Sequence, residues 1–403
     1  MTKRKSSKRV PGQPQEQLTN DSEFWGIYLA TIIGYSSILR FPYLLKENGG
    51  GIFLIPFGLF IFIIGKPQLY LETAIGQYWQ KPLTHHYSKV SISYRGIAVT
   101  QMLALGTFAV YFMTIMCYSI LYLIGSMSDL QLKVQGAGSS KEDVLDRTDR
   151  YFFENILGID YRGLETSGVL GGFNYNMLGV YLFSWTVVYF CVRNNVNFIG
   201  KLTFFTIGLP IVLMLVFLGQ VLLLDGGAAG IYKMFFHVDV WKIFEVKVWF
   251  EAAVQSFLQY GAGWGAVQTL ASFRKRNTPL GLFVRWIPII NCLVGILSAC
   301  IIFGALGHFS NSLNVDLSEL ELNLHGPELI FVSYPGIFMT MNHPMVISGL
   351  FFAAMVLLGL SPLLGIVEII SNFLRSRKFK FRNDELGQNG STLVTCLALC
   401  TGG

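Results

Sequence analysis

DSEFWGIYLATIIGYSSILRFPYLLKENGGG, residues 21–51, reads as a membrane-crossing helix with a fault in its middle. An apolar stretch of about 20 residues crosses a hydrocarbon core of roughly 30 Å as a helix. Here Gly34-Tyr35-Ser36-Ser37 places a glycine and two hydroxyls where a lipid-facing helix would carry Leu or Val, and Arg40 and Pro42 follow. An arginine near mid-span costs roughly 2.5–3.5 kcal/mol on insertion scales, so Arg40 is expected to face protein or water. The plainer alternative is an Arg40 that snorkels and a Pro42 that only kinks the helix.

A second stretch, VWFEAAVQSFLQYGAGWGAVQTLASF at residues 248–273, carries Gly261-Ala262-Gly263-Trp264-Gly265 behind Gln255 and Gln259. Each glycine costs about 1 kcal/mol relative to alanine in a helix. Small residues also serve close helix packing, which is the competing reading. Position separates the two. These are the first and sixth apolar spans, equivalent members of two successive five-helix halves, as in inverted-repeat transporters with helices broken at the bilayer midplane. A break there offers half-helix amides to a carboxylate and freed carbonyls to a cation.

The rest of the chain agrees with a membrane solvent. It is 52% hydrophobic and 13% charged over 403 residues, with a mean hydropathy of +0.50, outside the range of soluble domains. Eight spans are expected, at about 24–45, 52–79, 96–125, 171–192, 202–224, 248–272, 280–307 and 346–374. A net charge of +6 raises nucleic acid as a partner, but the basic residues follow topology instead. With a cytoplasmic N-terminus, inside segments hold 18 of the 30 Lys and Arg and outside loops hold nine, as the positive-inside rule requires. No nucleic-acid partner is expected; the lipid bilayer is.

Residues 1–22 read as a disordered cytoplasmic tail without the apolar core of a cleaved signal. The six cysteines lie in or beside spans, against an extracellular disulfide framework. Two long outside connections, 126–170 and 308–345, read equally as lids or as packed surface loops. The sequence stops partway into a ninth apolar run, which reads as a chain truncated in helix 9. His85-His86 lacks further ligands at metal spacing, and no phosphate loop, nucleophile elbow or paired carboxylate argues for an enzyme. Glu72 is a semi-buried carboxylate for which proton relay, a helix contact and pairing with Lys66 are the readings.

Ordered motifs run from RFPYLLKENGGGIFLIPF at residues 40–57 and ETAIGQY at 72–78, through FFTIGLP at 204–210 and VWFEAAVQSF at 248–257. INC at 290–292, GPELIFVSYP at 326–335 and LLGLSPLLGIVE at 357–368 complete them. On these residues the chain resembles the sodium:neurotransmitter symporter family, whose bacterial amino-acid members define the LeuT fold. The resemblance covers almost everything after about residue 22. It implies an all-α polytopic membrane protein with a LeuT-type 5+5 inverted repeat whose second repeat is incomplete. Residues 23–224 would be the first repeat, with helices 1–5; residues 225–403 would hold helices 6–8 and the start of 9.

Residue by residue, the resemblance implies a substrate pocket of Gly34, Tyr35, Ser36, Phe112, Leu258, Tyr260, Gly261 and Gly265. Tyr35 and Ser36 would present amides to a carboxylate. Arg40 would be the basic half of an outer gate with Gln255 beneath it, its acidic partner falling on a helix 10 beyond Gly403. One sodium site would use the Ile32 carbonyl with Ser37, Gln259 and Asn291; a second would use the carbonyls of Ala30, Ile33 and Leu358 with Ser361. Gly34 stands where monoamine carriers hold aspartate, which favours an amino-acid-like solute.

The chain also departs from the pattern. Ser37 and Gln259 replace the usual asparagine and hydroxyl, and Pro362 replaces a second hydroxyl. Phe112 lacks the hydroxyl that bonds the carboxylate, a loss worth about 0.5–1.5 kcal/mol. Phe57 and Gly295 replace chloride-site hydroxyls, so no chloride dependence is expected by that route, and no organic cofactor. The resemblance thus implies a sodium-coupled symporter of an amino-acid-like solute in the plasma membrane. The rival reading is a transport-inactive relative that senses solute or binds a membrane partner.

Overall fold

A computed structural model describes residues 18, 20–127, 147–158, 174–193, 196–313, 329–341, 343–376, 380–381, 384–385 and 388–402. Nearly all of it is helix, and the strand pairing among these residues is one two-residue ladder, Lys380–Phe381 against Asp384–Glu385. Most of the expected tail and of the two long connections lies outside the described residues; the described end of the tail is ordered, with Leu18 buried and its amide donating to the Phe273 carbonyl at 2.9 Å, and with the first helix starting at Asp21.

The first span is a bent pair, α1 (Asp21–Ile32) and α2 (Ser36–Glu47), which meet at 53°. Pro42 explains the wide first turn of α2. It has no N–H for the Ile38 carbonyl one turn back, and that carbonyl accepts from Ser298 Oγ of a distant helix at 3.1 Å. The second and third spans are α3 (Gly50–Trp79) and α5 (Ile92–Ser126), joined by the short α4 (Leu83–Val90). Gly49 and Gly50 have φ of 86° and 72°, and a Cβ on Gly50 would lie 2.5 Å from the Met234 carbonyl. Only glycine allows both the left-handed backbone and that approach.

In the first long connection the described residues 147–158 are helical, with the π-helical α6 (Tyr151–Leu157) following a helical turn over 147–150. The fourth and fifth spans are α7 (Tyr175–Val192) and α8 (Val196–Leu223). The short α9 (Gly227–Phe236) then leads to the sixth span, which is not one helix. It divides into α10 (Val246–Tyr260) and α11 (Ala266–Ala271), too short individually to cross a membrane. Long helices follow as α12 (Gly281–Leu313) and α14 (Pro344–Ser376), with α15 (Gln388–Gly402) in the ninth apolar run. Six described helices are individually long and apolar enough to cross, and the bent pair makes seven. The expected eighth, span six, is interrupted over residues 261–265, between the end of α10 at Tyr260 and the start of α11 at Ala266.

The apolar run inside 308–345 forms α13 (Ile330–Met339), buried against α5 and α14. Phe331 stacks between Phe152 and Phe352, and Tyr122 of α5 donates to the Phe331 carbonyl. Of the two readings of this connection, its described part is packed structure. The most extensive helix pairing is α5 with α14, and α1 packs on α8 and α14.

One end of the bundle is fastened by an ion pair that sequence reading did not anticipate. Arg274, after α11, bonds both oxygens of Asp21 at the start of α1, at 2.6 and 2.8 Å. Its guanidinium lies over the rings of Phe24 and Phe283 and also donates to the Pro279 carbonyl. Gln77 of α3 donates to the carbonyls of Lys275, Arg276 and Thr278, holding the same turn. Asp21 is 42% exposed, so water screens the pair and its loss is discounted to about 1–3 kcal/mol. Arg274→Ala should therefore lower the thermal midpoint well below that of Arg274→Lys. Equal midpoints for the two variants would show that ring packing, not the fork-shaped pairing, secures this end.

Candidate functional site

The two broken helices face each other across a cavity of about 410 Å³. The break in helix 1 starts at Ile33, whose backbone turns extended (φ −85°, ψ 103°). Beyond it the Ser37 amide bonds the Gly34 carbonyl at 3.2 Å, where a regular helix would bond Ile33. The break in helix 6 runs through three left-handed glycines, Gly261, Gly263 and Gly265, with φ of 60°, 82° and 76°. Three helices then satisfy its loose backbone. Tyr28 Oη of α1 donates to the Tyr260 carbonyl at 2.8 Å, and Gln101 Nε2 of α5 to the Gly263 carbonyl at 2.6 Å. The Gly263 amide donates to Glu72 Oε1 of α3 at 2.7 Å.

Glu72 is 2% exposed, and the same oxygen also accepts from Gln68 at 2.7 Å. Of its three readings the helix contact is the one the geometry presents: a carboxylate supporting an opened turn.

Six of the eight predicted pocket residues line the cavity: Gly34, Tyr35, Ser36, Phe112, Leu258 and Gly261. Tyr260 and Gly265 do not. Tyr260 is buried behind the break with its ring against Gly65, and a Cβ at Gly265 would meet Leu83 and Gln101 at 2.6 and 2.9 Å. The left-handed turns reset the helical phase, so lining passes from Gly261 to Trp264 and Ala266. Sequence reading also missed Leu105, Phe108 and Tyr111, which precede Phe112 on α5. The i, i+4 spacing of Phe108 and Phe112 was the available signal.

Gly34 has a packing reason as well as a chemical one. A Cβ there would lie 2.8 Å from Cγ of Pro362. The glycine therefore accommodates Pro362, which weakens its value as a marker of solute type.

Arg40 lines the cavity beside the neutral Tyr43 and Tyr111, and Glu251 is the acidic group in its surroundings. Glu251 of α10 is itself held by Asn48 Nδ2 at 2.7 Å. An acidic side chain of this chain thus stands in the surroundings where the expected partner would have come from beyond Gly403. Gln255 does not line the cavity; its Nε2 donates to the Ser36 carbonyl at 3.4 Å and links the two breaks.

The predicted ion ligands fall into two buried groups. Ser37 Oγ donates to Asn291 Oδ1 at 3.0 Å, and Asn291 Nδ2 donates to the Gln259 carbonyl. The Gln259 side-chain amide is 1% exposed, and among the described residues neither its oxygen nor its nitrogen has a hydrogen-bond partner. A buried amide left so costs about 1–3 kcal/mol unless something occupies the space beside it. Its oxygen and that of Asn291 suit a hard cation.

In the second group Ala30, Ile33, Leu358 and Ser361 are at most 1% exposed. Pro362 removes a hydroxyl from this group, but it also has no N–H to bond the Leu358 carbonyl one turn back. That carbonyl is freed. The single proton of Ser361 Oγ is shared between the carbonyls of Thr206 and Leu357, at 3.1 and 2.9 Å, which leaves its lone pairs available.

Phe57 is buried with its ring 5.9 Å from Phe53 and 5.2 Å from Phe41. A Cβ at Gly295 would meet Phe41 at 3.1 Å. His85 and His86 lie on α4, where burial pushes the His86 imidazole down to about 4. No group of three metal-ligating side chains occurs among the described residues.

Fold and site together define a polytopic helical membrane protein with a solute-sized cavity between two interrupted helices. The sequence pattern of the sodium:neurotransmitter symporter family matches residues 15–400. The chain belongs to that family. It is similar to the sodium- and chloride-dependent GABA transporter 2 of Rattus norvegicus, at 27% identity over 86% of this chain and 59% of the relative. It is also similar to the sodium- and chloride-dependent taurine transporter of Homo sapiens, at 28% identity over 85% of this chain and 59% of that protein. The Drosophila melanogaster GABA transporter ine is 24% identical over 96% of this chain and 42% of its own length. The chain therefore spans less than two thirds of these relatives. By name they are transporters, not enzymes, which lends no support to the sensor reading. They are also named chloride-dependent, so kinship does not support the expected chloride independence.

Proposed function

We propose that the chain is a secondary transporter that couples an inward sodium gradient to uptake of an amino-acid-like solute. The observation that carries this is the pair of facing breaks, which put Gly34, Tyr35 and Ser36 of helix 1 and Gly261 of helix 6 on the lining of one solute-sized cavity. A substrate carboxylate would meet the amides of Tyr35 and Ser36 and the positive N-terminal end of α2. Sodium, as cargo, would take the oxygens around Asn291 and Gln259 and those around Leu358 and Ser361. Alternating access would rock helices 1, 2, 6 and 7 against 3, 4 and 8, with Arg40 closing the outer side. The N-terminus would be cytoplasmic and the membrane the plasma membrane, in keeping with the basic-residue distribution.

Uptake into sealed vesicles tests the proposal. Labelled solute should accumulate above its outside concentration in sodium and stop accumulating when choline replaces sodium. A preparation that binds solute and never concentrates it would overturn transport. Replacing chloride by gluconate in the same assay reads the anion. The relatives' printed dependence predicts loss of uptake; the aromatic filling at Phe57 predicts none.

A further inference from the structure

We propose that His86 binds a proton when the second half of helix 6 draws away from α4, so that acid on that side of the membrane favours the opening. This rests on alternating access, in which helix 6 moves against helix 3. The short α4 packs chiefly on α5, whereas α11 packs chiefly on α3, so the seam between α4 and α11 divides the two groups of helices that would rock. One face of α4 covers that seam. Leu83, His86 and Tyr87 stand at i, i+3 and i+4 and share it. A Cβ on Gly265 would lie 2.6 Å from Leu83 Cδ2, and Gln268 of α11 faces both His86 and Tyr87. Tyr87 Oη donates to Gln101 Oε1 of α5 at 3.2 Å, which keeps this face on the helix 3 side.

The seam is closed over groups that lack partners. His86 is 6% exposed and Gln268 8%. Neither ring nitrogen of His86, nor Gln268 Oε1, makes a hydrogen bond of normal geometry among the described residues. An imidazolium there would be a buried charge without a counter-charge, which is costly. The groups around it confirm the imbalance. His85 adjoins it, and Lys81 and Lys89 of the same segment act on His85. From α3, Trp79 turns its ring to His85 at 5.6 Å, and the charge of Glu72 reaches Tyr87. Helices α11 and α5 present the neutral amides of Gln268 and Gln101.

The direction of the effect follows from burial. In the closed seam burial holds the His86 imidazole neutral, down at about 4 from its ordinary 6.5. Withdrawal of α11 returns the ring to water, where it titrates near its ordinary value. The proton thus binds the opened arrangement better than the closed one. Acidification through about 6.5 favours opening, and the gain grows until the buried ring also titrates, near pH 4. Between pH 8 and pH 5.5 the open-to-closed ratio should rise about tenfold.

Spin labels on Val90→Cys of α4 and Asn277→Cys beyond α11, both exposed positions, read the seam as a distance. The purified full chain is used in lipid nanodiscs with its six native cysteines replaced by serine or alanine. The ratio of long to short distances should rise about tenfold from pH 8 to pH 5.5. His86→Gln should remove most of that rise, and His85→Gln should keep it. His86→Leu gives the same reading if His86→Gln fails to fold. If the cysteine-replaced chain fails to fold, hydrogen exchange at the amides of 265–271 in the native chain, corrected for its intrinsic pH dependence, replaces the labels. A seam that opens on sodium removal but ignores pH, or a pH response that survives His86→Gln, would overturn the inference and leave alternating access standing. One fixed distance at every pH, with and without sodium, would overturn both.

Discussion

Glu72→Ala should unfasten the break in helix 6 and abolish solute binding. The variant removes a buried acceptor that holds the Gly263 amide and Gln68, both at 2.7 Å. Hydrogen bonds to a charged group are worth about 1.5–3 kcal/mol each, so the loss is on the order of 3–5 kcal/mol once the orphaned amide is included. Trp264 follows directly on Gly263, so the cavity wall moves with the turn. Glu72→Gln keeps an oxygen for the amide and should lose only about 1 kcal/mol. Thermal midpoint and solute affinity, measured together, decide the matter. A Glu72→Ala chain as stable and as tight-binding as the parent would mean the glycine turn supports itself. A Glu72→Gln chain that binds normally but cannot transport would point instead to a protonation role.

Gly34→Ala is the second large effect, and the companion Gly34→Asp separates packing from charge. A methyl at residue 34 arrives 2.8 Å from Pro362 Cγ, and overpacking of this kind costs about 1–3 kcal/mol. Gly34→Ala should therefore destabilise the chain although it adds no charge. Gly34→Asp should do so too and should also weaken carboxylate solutes. Adding Pro362→Ala to Gly34→Ala should restore most of the stability, with a coupling of about 0.5–3 kcal/mol between the two sites. If Gly34→Ala is silent and only Gly34→Asp loses binding, the position is chosen by the solute and not by its neighbour on α14.

The sequence made both breaks legible because their residues are poor helix formers in the places where hydropathy demands good ones. Gly34, Ser36 and Ser37 in one span and Gly261, Gly263 and Gly265 in the other are local signals, readable without partners. Which side chains face the cavity was legible on helix 1 and less so past Gly261. Three left-handed residues there break the periodicity on which such assignments depend. The supports were harder still. Glu72 and Gly263 are 191 positions apart, and Asp21 and Arg274 are 253 apart, so nothing local in either segment names its partner. The grouping of Ser37 with Asn291 came from family resemblance, since a serine and an asparagine in separate helices carry no pairing signal of their own. Pro362 read as a missing oxygen, and its second effect, release of the Leu358 carbonyl, needed the helix to be in place.

Proline and serine are coupled twice in this bundle. Pro42 frees the Ile38 carbonyl, which Ser298 takes, and Pro210 frees the Thr206 carbonyl, which Ser361 takes. Each serine closes an account that a proline on another helix opened. Across homologous sequences the two members of each pair should be inherited as a unit: where the proline reverts to an ordinary residue, the carbonyl regains its own amide and the hydroxyl becomes free to drift. Ser361 is the exception that this rule would expose. It has a second task in the proposed ion site, so it should persist even in lineages that have lost Pro210, whereas Ser298 should vanish with Pro42.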